Sequence, residues 1–116
     1  MIVWAIAVAG GLGAAARFLL DQVVNVYLQR LSATMVVNGT ACFAVGLLVG
    51  LAADDQFTAI VGLGFLGGYS TFSTASVEAA GRWREGRRGA ALLHSVAMVV
   101  VCVATAGVGL TIAAWL

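Results

Sequence analysis

The chain has 116 residues, 62% of them hydrophobic and 9% charged, with 15 glycines, no proline and a formal net charge of +1. With a mean hydropathy of +1.05, this composition excludes a soluble domain folded around one buried core. It describes an integral membrane protein.

In chain order, Met1 to Ala16 is free of charge, but Arg17 and Asp21 follow before the first connection, which holds Arg30. Reading Met1 to Ala16 as a cleaved leader is disfavoured: no basic residues open it, and Arg17 falls where the apolar run should continue. Near the bilayer centre an arginine costs about 2.5–3.5 kcal/mol on insertion scales. Two readings of Arg17 stay open, a snorkelling side chain paired with Asp21 one helical turn later, and an electropositive vestibule that gathers anions.

Charge-free runs follow from Leu31 to Ala53, Gln56 to Val77 and Gly89 to Leu116, each reaching the roughly 20 residues needed to cross hydrocarbon. Four transmembrane helices in one domain over residues 1–116 are expected. The second carries Asn38 in an apolar setting, where its amide offers two donors and an acceptor to a neighbouring helix or to a ligand. The third contains Gly64-Phe65-Leu66-Gly67-Gly68-Tyr69-Ser70-Thr71-Phe72-Ser73-Thr74-Ala75-Ser76. Glycine gives up helix stability and the hydroxyls can bond to nearby backbone, so this helix is expected to break inside the membrane. Broken backbone survives there only against protein or a water-filled path, which marks a transport site. Glu78, just beyond, suits a helix cap or a vestibule wall. In the last span, His94 and Ser95 read as packing or interface residues, with a proton relay as the alternative.

All six basic residues are arginines: Arg30 in the first connection, Arg82, Arg84, Arg87 and Arg88 in the third, and Arg17. The second connection holds Asp54 and Asp55. The positive-inside rule then places the first and third connections in the cytoplasm and both termini outside. The arginine cluster reads as a topology determinant beside anionic lipid headgroups, not as a nucleic-acid site. Cys42 and Cys102 lie in separate spans without a CxxC or a histidine at ligand spacing, and read as small buried hydrophobes. The pairs Gly46/Gly50 and Gly64/Gly68, with Gly107 and Gly109, allow close helix contact and point to an oligomer, unless they tighten packing within one subunit.

An enzyme would need paired carboxylates, a Ser-His-Asp set or a metal cluster, and no such constellation is present. A small four-helix proton-coupled exporter would carry a glutamate in its first helix, and Met1 to Arg30 contains none.

Gly10-Gly11-Leu12-Gly13-Ala14-Ala15-Ala16-Arg17-Phe18, then Val37-Asn38 with Phe43 and Gly46, then the third-span segment from Gly64 to Thr74, closing with Ser76-Val77-Glu78, resemble the Fluc (CrcB) fluoride channels. The likeness runs in order through the first three spans. It implies an all-α membrane protein of the bacterial inner or cell membrane, four helices per subunit with the third broken, packed as an antiparallel, inverted dimer with fluoride pathways at the interface. It also implies a structural Na+ at that interface, held by backbone carbonyls of Gly67 and Ser70. Asn38, Phe72, Ser73 and Thr74 would line the fluoride pathway, and Arg17 would charge its vestibule. Fluoride is small and strongly hydrated, so a dry constriction must replace its water with donors: the Asn38 amide, the Thr74 hydroxyl and the Phe72 ring edge.

The departures matter too. Where the family pattern has a second phenylalanine, a glycine and a serine, this chain has Ala75, Ala41 and Cys42. A tyrosine and a serine of the last span align with His94 and Met98. With the arginine bias, these changes imply one fixed-orientation half of a channel made with a paralogous four-helix partner, a homodimer being the alternative. A non-conducting structural or regulatory subunit is the competing function.

Overall fold

The computed structural model describes residues 1–27, 33–52, 54–70 and 73–116. In order, the elements are α1 (Ile2–Tyr27), α2 (Ala33–Gly50), α3 (Asp55–Thr58), a π-helical stretch (Ala59–Leu66), α4 (Gly67–Tyr69), α5 (Ser73–Arg84) and α6 (Arg88–Trp115). Helices α1, α2 and α6 are each long and apolar enough to cross a membrane. The fourth rod is the composite third span, assembled from α3 through α5, so the chain is an all-α, multi-pass membrane protein.

Helix α1 runs straight through Arg17 and Asp21, because nothing between Ile2 and Tyr27 interrupts its hydrogen-bond ladder. Its 26 residues extend about 39 Å at ~1.5 Å per residue, more than the ~30 Å hydrocarbon core. Arg17 lies in the C-terminal half of this helix. Among the described residues no ion pair joins it to Asp21.

The third span begins where the sequence turns polar. Asp54 caps it, its Oδ2 accepting from the backbone N–H groups of Gln56 at 3.1 Å and Phe57 at 3.2 Å. The chain then passes through α3, the wider π turn and α4 without a gap. Ser70 ends this run: its nitrogen still donates to the Leu66 carbonyl at 2.9 Å, but its backbone is extended, with φ −73° and ψ 159°. The break therefore falls within the glycine and hydroxyl-rich segment. Phe72 lies outside the described residues, as do Arg30 and the side chain of Ser73.

Two seams of bare backbone hold the rods together. A Cβ at Gly13 would run into the Phe65 carbonyl, one at Gly68 into the Gly10 carbonyl, and one at Gly64 would come within 2.9 Å of the Ile6 carbonyl. Helix α1 and the third span thus lie parallel with backbones touching. On the other side, Gly46 lies against the Ala106 carbonyl, Gly50 against the Ala113 methyl and Gly109 against the Phe43 carbonyl. That seam joins α2 to α6, also in parallel, and is the most extensive helix pairing in the described chain. Both glycine pairs that sequence spacing offers to an oligomer, Gly46/Gly50 and Gly64/Gly68, are consumed inside the subunit. Gly107 alone of the sequence-selected glycines meets nothing within 4 Å.

The third connection is shorter than the charge pattern suggests. Arg82 and Arg84 form the last turn of α5, where cations oppose the partial negative charge of the helix end. Gly86, at φ +79°, reverses the chain: its N–H bonds to the Trp83 carbonyl at 3.1 Å and that of Arg87 to the Arg82 carbonyl at 2.9 Å, the paired closure of a Schellman turn. Arg88 then begins α6 with its guanidinium 5.0 Å from the Trp83 ring centre, a cation–π contact.

Candidate ion pathway

Along α2, positions 34, 38 and 42 recur every fourth residue, as do 94, 98 and 102 along α6. The parallel glycine seam sets these two rows level. Three polar rungs result.

At the first rung, the buried Thr34 hydroxyl donates to Glu78 Oε1 at 2.7 Å, and Glu78 Oε2 stands 3.4 Å from His94 Nε2. Glu78 thus bonds α5 to α2 and faces α6, where its Oε2 and His94 Nε2 are both buried without a hydrogen-bond partner among the described residues. One helical turn past Glu78, Arg82 keeps Nη1 buried, and among the described residues that atom has no hydrogen-bond partner. At the second rung, Asn38 Nδ2 donates to the Met98 sulfur at 3.7 Å. At the third, Cys42 and Cys102 stand level with each other on the same cavity lining.

His94 of the first rung and both members of the other two form one wall of a cavity of about 510 Å3 that opens on the flank of the helix bundle. Asn38, Cys42, His94, Met98 and Cys102 line it, together with Ser70 at the helix break and Ala75 and Ala79 of α5. Val99 and Val103 also border it and are otherwise exposed. The broken end of the third span is pinned beside this wall. The Thr40 and Tyr69 hydroxyls lie 2.7 Å apart, and Thr40 also reaches the Val36 carbonyl at 2.8 Å. Thr40 has one proton, so donation to Val36 leaves Tyr69 donating to Thr40. The Tyr69 ring stacks on Phe65 with centres 6.1 Å apart.

Of the residues expected to line the fluoride pathway or hold Na+, Asn38 and Ser70 reach the cavity wall. Gly67 is exposed at the start of α4, and its carbonyl belongs to the last turn before the break, where carbonyls lose their intrahelical partners. Thr74 is exposed on α5 and does not border the cavity; Arg17 is half-buried on α1, on the opposite seam from it. The bonds from Thr34 to Glu78 and from Asn38 to Met98, the placing of His94 beside Glu78 and the shared level of Cys42 and Cys102 escaped the sequence reading. Their signal was the matched spacing of four in two helices, which becomes visible only once those helices are known to run parallel and in register.

The sequence model for the family described as CrcB-like protein, Camphor Resistance (CrcB), matches residues 4–110. Among curated proteins, the fluoride-specific ion channel FluC 1 of Leifsonia xyli is 41% identical over 116 aligned residues, covering 95% of this chain and 85% of the relative. FluC 2 of Rhodococcus jostii is 38% identical, covering 94% of this chain and 96% of its own length. FluC of the archaeon Pyrococcus abyssi is 36% identical, covering 91% and 90%. Together with the four-rod membrane fold and its interrupted third span, this similarity shows that the chain belongs to the CrcB family.

Proposed function

We propose that this chain is a subunit of a passive fluoride-selective channel through which F− leaves the cytoplasm, relieving its toxicity; it is not an enzyme. The observation that carries this reading is the Asn38 amide at the cavity wall. Its Nδ2 proton is engaged by a thioether, a weak acceptor that a fluoride ion outcompetes. Supporting it are the family membership, the names of the relatives and the helix break at Ser70 beside the same cavity.

A dehydrated anion needs donors and the absence of fixed negative charge. Among the described residues no Asp, Glu, Lys or Arg side chain lines the cavity, and the Glu78 carboxylate stands beside His94 at one end, off the lining itself. Thr74 and Phe72 supply further donors to fluoride, the latter through its ring edge, with Ser73 beside them. Arg17 and the half-buried Arg82 draw anions toward the entrance.

The cavity opens outward beside exposed Val99 and Val103, so a second four-helix subunit, inverted in the membrane, closes it. A paralogue with the opposite charge bias is the preferred partner, because Arg82, Arg84, Arg87 and Arg88 cluster around one connection. The first and third connections then face the cytoplasm and its anionic lipid headgroups. Structural Na+ fits the same interface: the carbonyls of Gly67 and Ser70 are hard oxygen donors at a helix C-terminal end, and Gly67 has no side chain to block approach. Bound there, the ion would offset the negative ends of two facing half-helices.

Growth of a fluoride-sensitive bacterium lacking its own channel tests the reading. Expression of this chain with its partner should restore growth in fluoride, and Asn38→Asp should abolish the rescue while membrane levels hold. Rescue undiminished by Asn38→Asp would remove Asn38 from the pathway. No rescue by an assembled pair would favour a non-conducting subunit.

A further inference from the structure

We propose that Cys42, Cys102 and Met98 form a binding site for one soft, thiolate-seeking metal ion of the Hg(II) class, within a single chain. The two cysteines are the chain's full complement, and they come from different helices to face the same cavity, level with each other across the α2–α6 seam. Their level is fixed by the seam: Gly39 against the Val101 side chain on one side of the pair and Gly46 against the Ala106 carbonyl on the other. Both cysteines are half-buried and both border the open cavity, so an ion can reach them. Met98, one helical turn before Cys102, places a thioether sulfur on the same wall.

The donor set selects the metal. Among the described residues no group of three or more His, Cys, Asp or Glu side chains could hold an ion, so the four ligands of a structural zinc site are lacking. Two thiolates supported by a thioether suit soft cations instead. Charge points the same way: Hg2+ displaces one proton from each thiol, giving a neutral bis-thiolate and releasing two protons. A neutral complex needs no counter-charge on a wall that, among the described residues, carries no Asp or Glu side chain and includes Ala75, Ala79, Val99 and Val103.

The test is binding by the purified, fully reduced full-length protein in detergent, titrated with mercuric chloride and desalted in excess N-acetylcysteine to strip singly held mercury. One mercury per chain should remain, both thiols should disappear together from an Ellman assay, and a thiolate-to-metal absorption band should rise in step. Cys42→Ser and Cys102→Ser should each retain less than about a tenth of that mercury. Two mercury ions per chain, full retention by either serine variant, or mercury tethering two chains on a denaturing gel would overturn the proposal. The parent stoichiometry decides even if a variant fails to fold. No fluoride movement enters the measurement, so it stands or falls separately from the channel reading.

Discussion

Asn38 and Glu78 carry the most chemistry per atom in this chain, and they make different demands. Asn38 donates to the Met98 sulfur, a weak acceptor, which holds the amide at the cavity wall. Asn38→Asp would replace donors by a negative charge at the point where an anion must shed water. A hydrogen bond to a charged group is worth about 1.5–3 kcal/mol, so fluoride efflux from liposomes should fall by at least about tenfold. Glu78 is structural at this scale, since Thr34, 4% exposed, has its hydroxyl satisfied by that carboxylate. Glu78→Ala should lower the melting temperature in detergent, reflecting about 1–3 kcal/mol for a stranded buried hydroxyl. Glu78→Gln keeps an oxygen for Thr34 and should lie between Glu78→Ala and the parent. Sequence singled out both residues as polar groups in apolar surroundings, but it left their partners open, because those depend on how far α6 slides along α2.

At the level of elements, the interruption of the third span was legible and its surroundings were not. Clustered glycine and hydroxyl residues predict a helix that ends early, and Ser70 ends it. The π-helical turn from Ala59 to Leu66 has no local signature, since its residues suit an α-helix equally well; it accompanies the contact of Gly64 and Gly68 with α1, which no local pattern encodes. Spacing of small residues predicted close contact correctly but did not say within or between subunits. Gly46→Val should force α2 and α6 apart, costing about 1–3 kcal/mol or more, and broaden the gel-filtration profile. Gly107→Ala, placed where nothing lies within 4 Å, should leave the profile unchanged and stabilise the helix by about 0.5–1 kcal/mol. The ordering of those two variants in a thermal scan checks which glycines form the seam.

For the whole molecule, four spans, their order and the clustering of arginine around the third connection were evident from charge-free runs alone. The parallel pairing of α1 with the third span and of α2 with α6 agrees with four alternating crossings, and puts the first and third connections at the same end. In the proposed assembly a second subunit of opposite charge bias covers the cavity that opens on the bundle flank. Efflux from fluoride-loaded liposomes, followed with a fluoride electrode, measures conduction directly for the co-purified pair and for this chain alone. The pair should release fluoride and retain chloride, lose that release with Asn38→Asp, and outpace this chain alone. An assembled pair that holds fluoride as tightly as empty liposomes would contradict the channel assignment, and full-rate efflux from this chain alone would contradict the need for a partner.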